Sequence, residues 1–251
     1  MTLLRKLRAF LAIYSGCRHW PSVAAARIGI GDGGRTLRLR NGLELQVKDS
    51  LCANWGQFFE SAIVDVYRVS AAEADIIVDV GANLGGFTCL AAWTHPKARV
   101  YAFEPQSDQA NLLRHNIERN RLGNVVVAES PVTADGREVV LYRQSNEGAS
   151  SIYLEGDGQT VPFVSVTLDS VPLADAESIF IKLDCEGAEG ELIEWIAATV
   201  ARMPQAVSIA CEYHPWCPIP IEQSARRLSA AHFDISTEWL FAESYLFARR
   251  G

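Results

Sequence analysis

The sequence predicts an α/β domain built on a mainly parallel sheet with helices on both faces. Three observations lead there. Short, largely apolar segments such as Ile76–Val80, Arg99–Phe103 and Ile179–Leu183 read as strands buried on both sides. They alternate with Gly85–Trp93, Ser107–Arg119 and Ala188 to about Ala201, whose spacing is helical; that is the pattern of strand–helix–strand crossovers. The chain has 251 residues, 49% of them hydrophobic and 21% charged, enough for a core that needs no disulfide or metal.

The elements follow in order. Arg5, Lys6 and Arg8 precede a short apolar run to Ile13. Arg18, His19 and Trp20 stand where a secretory signal would have small residues, so an amphipathic helix is the better reading. Its apolar stripe is Leu3, Leu4, Leu7, Leu11 and Tyr14, expected to pack on the domain or a second subunit, or else to touch an anionic membrane surface. Leu37, Leu39, Leu43, Leu45 and Val47 alternate around Asn41-Gly42, which predicts a hairpin closed by a two-residue type I′ turn. Residues 1–53 are taken as an extension and 54–251 as the main domain. Trp55–Val69 returns to helical spacing through Phe58, Phe59, Ile63, Val66 and Tyr67. Val125–Ala128 and Val207–Cys211 are further core strands, a helix follows Pro220, and His232–Ser236 and Tyr245–Ala248 close the sheet. Glu138–Tyr142 and Val161–Thr167 are two extra strands.

Composition excludes several classes. No apolar run approaches the roughly 20 residues of a membrane span. The formal charge of −7 gives no general nucleic-acid footprint. Cysteines 17, 52, 89, 185, 211 and 217 contain no C-x-x-C pair, which argues against zinc or a redox couple and fits reduced thiols in a cytoplasmic protein.

A parallel sheet presents its ligands at the carboxyl ends of its strands. Those ends are Asp79 to Gly86, Glu104, Glu129 with Ser130, Asp184 to Gly187, and Glu212 to Trp216. The first holds Gly81-Ala82-Asn83-Leu84-Gly85-Gly86. Asn83 stands where a dinucleotide fingerprint needs its middle glycine, the one that makes room for a pyrophosphate. Asp79, ending the strand, suits a cationic amine. Glu104, 23 residues after Gly81 and followed by Pro105, can accept from a ribose diol. A ligand with a ribose and an amine but no phosphate is S-adenosylmethionine (SAM). The cofactor-binding candidates are therefore Asp79, Gly81, Ala82, Asn83, Gly85, Glu104, Pro105 and Ser130.

Val78–Gly85 with Ala102-Phe103-Glu104-Pro105 resembles the cofactor site of class I SAM-dependent methyltransferases. Lys182-Leu183-Asp184-Cys185-Glu186-Gly187-Ala188-Glu189 resembles the hallmark of their FkbM-type branch. Gly148-Ala149-Ser150-Ser151, Thr167-Leu168-Asp169 and Cys211-Glu212-Tyr213-His214 agree with it. The resemblance covers roughly Phe58 to Phe247. It implies a Rossmann-like class I methyltransferase fold with a seven-stranded sheet, SAM as cofactor, and O-methylation of sugars, glycolipids or polyketide-type products.

An aliphatic hydroxyl must lose its proton during such a transfer, so a base is expected. Asp184, Glu186 and His214 are the catalytic candidates. Lys182, Asp184 and Glu186 form either a charged row in the cleft or a structural network at the strand end. Glu189 either stabilises its helix or joins the site. Tyr213 and Trp216 either stack on a sugar or pack in the core. Asp184, Glu186 and His214 fix no metal-ligand set, and no metal is assigned. The expected function is methyl transfer to a hydroxyl of a carbohydrate or glycoconjugate. The expected partners are a small-molecule or glycan acceptor, with no nucleic acid; a homo-oligomer stays open. The alternatives are a polyketide or lipid hydroxyl, an NAD-dependent oxidoreductase, against which Asn83 speaks, and a non-catalytic partner that keeps the pocket.

Overall fold

The computed structural model describes residues 3–28, 30–31, 33–50, 58–143, 150–155, 158–199, 205–240 and 243–251, with side chains from residue 10 onward, Arg27 excepted. Helices α1 (Leu3–Gly16) and α2 (Trp20–Arg27) precede the hairpin β1 (Thr36–Arg38) and β2 (Glu44–Gln46). The main sheet takes β3 (Ile76–Val80), β4 (Arg99–Phe103), β5 (Val125–Ala128), β9 (Ser178–Leu183), β10 (Ala206–Tyr213), β11 (Asp234–Leu240) and β12 (Glu243–Arg250). Helices α3 (Gly86–Thr94), α4 (Ser107–Arg119), α5 (Glu189–Thr199) and α6 (Ile221–Ala230) connect them. Between β5 and β9 lies a small antiparallel sheet of β6 (Glu138–Arg143), β7 (Ser150–Ser151) and β8 (Thr160–Val164), in the order β7-β6-β8.

The seven-stranded order is β11-β12-β10-β9-β3-β4-β5. Pairing is parallel from β10 to β5, and β12 runs antiparallel to both β10 and β11. The chain winds outward from β3 through β4 to β5, then returns to β9 on the other side. The order therefore reverses between β3 and β9, where an open sheet of this kind leaves its ligand crevice.

Strand alternation sets the two cores. Ile77, Val100 and Phe180 point to one face, and Ile76, Val78, Val80, Ile179 and Ile181 to the other, as a period of two requires. The first face is shared with the extension: Ile13, Cys17, Val23, Leu37, Leu43 and Leu45 join its core beside Phe58 and Leu90. Asn116 and Asn120 of α4 fasten the hairpin. Their Oδ1 atoms accept the N–H groups of Gln46 (2.7 Å) and Glu44 (2.9 Å).

Three local expectations change. The apolar stripe of α1 does not pack inward where it is described: Leu11 and Tyr14 are exposed, and Ile13 and Cys17 take the buried side. The hairpin does not close through a type I′ turn. Gly42 has φ +106 while Asn41 is not in the left-handed region; Leu39 N–H donates to Leu43 O and Gly42 N–H to Leu39 O. The loop thus has three residues and a glycine bulge, because Asn41 Oδ1 accepts the Leu43 N–H (3.0 Å) and spares its own backbone a positive φ. Finally, Phe59–Val64 is a π-helical turn stopped by Asp65 at φ +52; Trp55 lies outside the described residues. Among the described residues no helix is long and apolar enough to cross a membrane.

Candidate active site

The first wall of the crevice is the turn after β3. Gly81 (φ +79) sits so close to β9 that a Cβ would lie 1.8 Å from Asp184 O, so no other residue fits there. Gly81 and Ala82 both donate their N–H groups to Phe103 O, which ties the turn to β4 as well. Asn83 adopts φ +51, a conformation its short polar side chain tolerates, and its Oδ1 accepts the Leu84 N–H (2.7 Å).

Glu104 holds the turn from the other side. Its Oε2 accepts the Asn83 N–H (2.8 Å) and its Oε1 the Gln106 N–H (2.9 Å). Burial pushes its carboxyl up to about 7, against the pull of those two amides and Lys182. Each oxygen keeps a second lone pair, and the residue lines the cavity. That pair of acceptor oxygens fits the two hydroxyl donors of a ribose diol.

Gly81, Asn83, Glu104, Pro105 and Ser130 all line this cavity, and so do Asp184 and Glu186 from the opposite side. Three expected cofactor residues are not brought to it. Ala82 packs with Ala102 and Leu113 under the turn. Gly85 (φ +91) caps α3, where a Cβ would meet Leu113 at 2.5 Å. Asp79 is fully buried; its carboxylate accepts from Thr88 and lies 3.0 Å from Lys182 Nζ. Its charge is matched inside the protein and not offered to an amine.

Lys182 is the centre of that network. Its ammonium is 3% exposed, donates to Gly81 O at 2.7 Å and lies 3.4 Å from Asp184 Oδ2. Burial works against the charge, yet Asp79 and Asp184 hold Lys182 above the ordinary lysine value. Lys182 and Asp184 thus form a network joining β3 to β9, and Asp184 also faces the cavity.

Beyond Asp184 the chain turns sharply, with Glu186 at φ +58 and Gly187 at φ +115. A left-handed glutamate costs about 1–2 kcal/mol, so something must hold it. Glu189, fully buried, does so: its carboxylate accepts from Cys185 N–H (3.0 Å) and Gly187 N–H (2.9 Å). Ser151 Oγ–H and Trp216 Nε1–H donate to Glu186 O. Ser151 gives the Gly148–Ser151 segment its structural part; Gly148 and Ala149 lie outside the described residues.

Glu189 also fixes His214, whose Nδ1 is 2.8 Å from Glu189 Oε1. The other ring nitrogen, Nε2, then faces Glu186 Oε2 (3.5 Å), Asp184 Oδ1 (3.9 Å) and Glu212 Oε1 (4.0 Å). Burial works against the imidazolium, but Glu189, Asp184 and Glu186 outweigh it and raise His214 to about 10. Burial likewise opposes the charge of Asp184, which Lys182 and His214 nonetheless hold below the usual carboxylate range. Glu186 goes the other way: burial, joined by the charges of Asp184 and Glu189, lifts it to about 7 despite His214. Glu189 is thus both helix-start acid and site residue.

Glu212, at a strand end the sequence marks, joins this cluster, and so do three residues the sequence did not mark for the site: Glu60, Tyr67 and Tyr245. Tyr67 Oη lies 3.0 Å from Asp184 Oδ2 and 2.9 Å from Glu212 Oε2. Tyr245 Oη lies 2.9 Å from the same Glu212 oxygen and 2.8 Å from Glu60 Oε2. Burial lifts Glu212 to about 8 and Glu60 to about 7. The place of Glu212 at the carboxyl end of its strand was its signal in the sequence; Glu60, Tyr67 and Tyr245 carried none. Asp184, Glu212 and His214 offer ligand atoms all within 4.8 Å of one another, a spacing that could hold a cation. Of the two aromatic candidates, Tyr213 is buried with its hydroxyl on Ile219 O (2.7 Å). Trp216 is 37% exposed and lies against the His214 ring (4.9 Å between centroids).

The strand order, with its antiparallel β12 beside β10 and the glycine turn at the switch point, defines a Rossmann-like class I methyltransferase fold. Residues 79–239 match the family described as the methyltransferase FkbM domain, and the chain belongs to that family. Hexuronic acid methyltransferase AglP of Haloferax volcanii is 27% identical over 148 residues, 54% of this chain and 55% of that protein. The 31-O-demethyl-FK506 methyltransferase FkbM of Streptomyces tacrolimicus is 33% identical over 93 residues, 36% of each. A tRNA(Phe) (4-demethylwyosine(37)-C(7)) aminocarboxypropyltransferase of Methanocaldococcus jannaschii is 40% identical over 70 residues, 28% of this chain and 26% of that one. The chain spans between about a quarter and about half the length of these relatives.

Proposed function

We propose that this protein transfers the methyl group of SAM to a hydroxyl of a carbohydrate or glycoconjugate. One observation carries the reading. The buried carboxylate of Glu104 lines one side of the cavity at the β3/β9 switch point, and Asp184 and Glu186 line the other, with the buried His214 imidazole behind them. Bound SAM supplies an electrophilic methyl on its sulfonium. The chain's own task is to hold the two reactants in line and to take the hydroxyl proton.

Glu186 is the proton acceptor in this scheme. It lines the cavity, and a carboxyl near 7 is matched to the working pH in a way that Asp184 is not. His214 is doubly protonated below about 10; it acts as the fixed cation that orients Glu186 and offsets the negative charge gathered around it. Trp216, half exposed beside His214, offers an aromatic face to a sugar ring. The hexuronic acid named for AglP favours the sugar. A polyketide-type hydroxyl is the second reading, favoured by the likeness to the FK506 enzyme.

The first test is calorimetric titration with SAM, S-adenosylhomocysteine and NAD. Micromolar binding of the two adenosyl ligands and none of NAD is expected; binding of NAD alone would overturn the cofactor assignment. Above pH 7, where Glu104 is ionised, Glu104→Ala is expected to weaken SAM at least about tenfold, since each charge-assisted hydrogen bond lost is worth about 1.5–3 kcal/mol. Unchanged affinity in that variant rejects the ribose role.

A further inference from the structure

Charge is divided sharply along this chain. Residues 1–40 hold eight of the 23 Lys and Arg residues and one of the 30 Asp and Glu residues, a formal charge of +7. The rest of the chain carries −14. Five of the eleven exposed large apolar side chains among the described residues stand in this basic part. Phe10, Leu11 and Tyr14 of α1 are 43%, 51% and 51% exposed, and Ile28 and Ile30, just past α2, are 73% and 64%. Arg18, Arg35 and Arg40 are exposed in the same extension.

This pattern is the reverse of a helix whose stripe serves the core, because the inward side of α1 is already supplied by Ile13 and Cys17. Trp20 stiffens the outward side: its ring meets Phe10 at 5.6 Å and Tyr14 at 5.3 Å, both edge-on.

We propose that this outward face of α1, with the start of the segment after α2, lies on an anionic lipid bilayer. The helix has 14 residues, about 21 Å at 1.5 Å per residue, against about 30 Å for a hydrocarbon core. It therefore rests in the interface plane and does not span. A bilayer provides both things the face lacks, acyl chains for Leu11, Tyr14 and Ile28 and anionic headgroups for the arginines. A second copy of the chain fits less well. Two-fold pairing of this face with itself would set residues 1–40, at +7, against their own copy.

The test uses the full-length protein in co-sedimentation with vesicles of equimolar phosphatidylglycerol and phosphatidylcholine, and with phosphatidylcholine alone. Binding to the anionic vesicles only, weakened by added salt, is expected. Leu11→Ser with Ile28→Ser, and separately Arg18→Glu with Arg35→Glu, are each expected to lower partitioning at least about tenfold. These side chains are exposed, so melting temperature and SAM affinity serve as unchanged controls. The proposal is overturned by no binding to anionic vesicles, by equal binding to neutral ones, or by either variant pair binding as the parent does. It is equally overturned by a dimer in sedimentation velocity that dissociates in the Leu11→Ser, Ile28→Ser protein, which would make a second copy the occupant.

Discussion

Lys182→Met is expected to cost about 3–5 kcal/mol of folding stability, read as a lowered urea midpoint with an unchanged slope. The size follows from what the substitution leaves behind. Asp79 is fully buried and keeps only the Thr88 hydroxyl. Asp184 loses a counter-charge at 3.4 Å, and Gly81 O loses its donor at 2.7 Å. Methionine matches the shape of lysine, so the loss is electrostatic and not a cavity. The double variant Lys182→Met with Asp79→Asn separates the two: removing both charges is expected to recover part of the loss, because the uncompensated carboxylate is gone. A cost under about 1 kcal/mol for the single change would mean that water reaches Asp79. Because Lys182 also holds the Gly81 turn, SAM affinity is expected to fall in step with stability.

That network shows how the sequence can be read and where the reading stops. The strands of the sheet were legible because burial on both faces forces continuous apolar runs, and Ile76–Val80 and Arg99–Phe103 appear with the same bounds in the structure. The glycine turn was legible for a similar reason: Gly81 is pressed against Asp184 O, and only glycine survives that contact. What spacing could not tell was which way each polar group points. Asp79 ends an apolar strand, and nothing local distinguishes a carboxylate that greets a ligand from one that neutralises a lysine 103 residues later. The same holds for α1. Its stripe is periodic in the sequence, but periodicity gives a face and not its partner, and Ile13 with Cys17 takes the buried side. Glu60, Tyr67 and Tyr245 come together with Glu212 from three distant elements, a convergence that only the folded chain supplies.

Glu186→Gln is expected to lower the rate of methyl transfer by about 10²–10⁴ while leaving SAM affinity unchanged, the range typical for loss of a positioned base. The substitution is well suited to the question because the structural duties of this residue belong to its backbone. Ser151 and Trp216 both donate to Glu186 O, and the left-handed turn is held by Glu189; the side chain's own contact is His214 Nε2 at 3.5 Å. Glutamine keeps the shape and removes the proton acceptor. The pH dependence supplies a second readout with a definite sign. Burial, with the charges of Asp184 and Glu189, raises Glu186 to about 7; its basic form is lost as the pH falls through that value. At saturating SAM, where the ionisation of Glu104 near 7 no longer limits cofactor binding, the parent rate is therefore expected to rise through about pH 7, and that limb is expected to vanish in Glu186→Gln. His214, raised to about 10, stays cationic across the same window and contributes no limb there. If the variant keeps both its rate, within about tenfold, and its rise near pH 7, the proton goes elsewhere. Glu212, lifted to about 8 and 4.0 Å from the same imidazole nitrogen, is then the group whose replacement should abolish the limb.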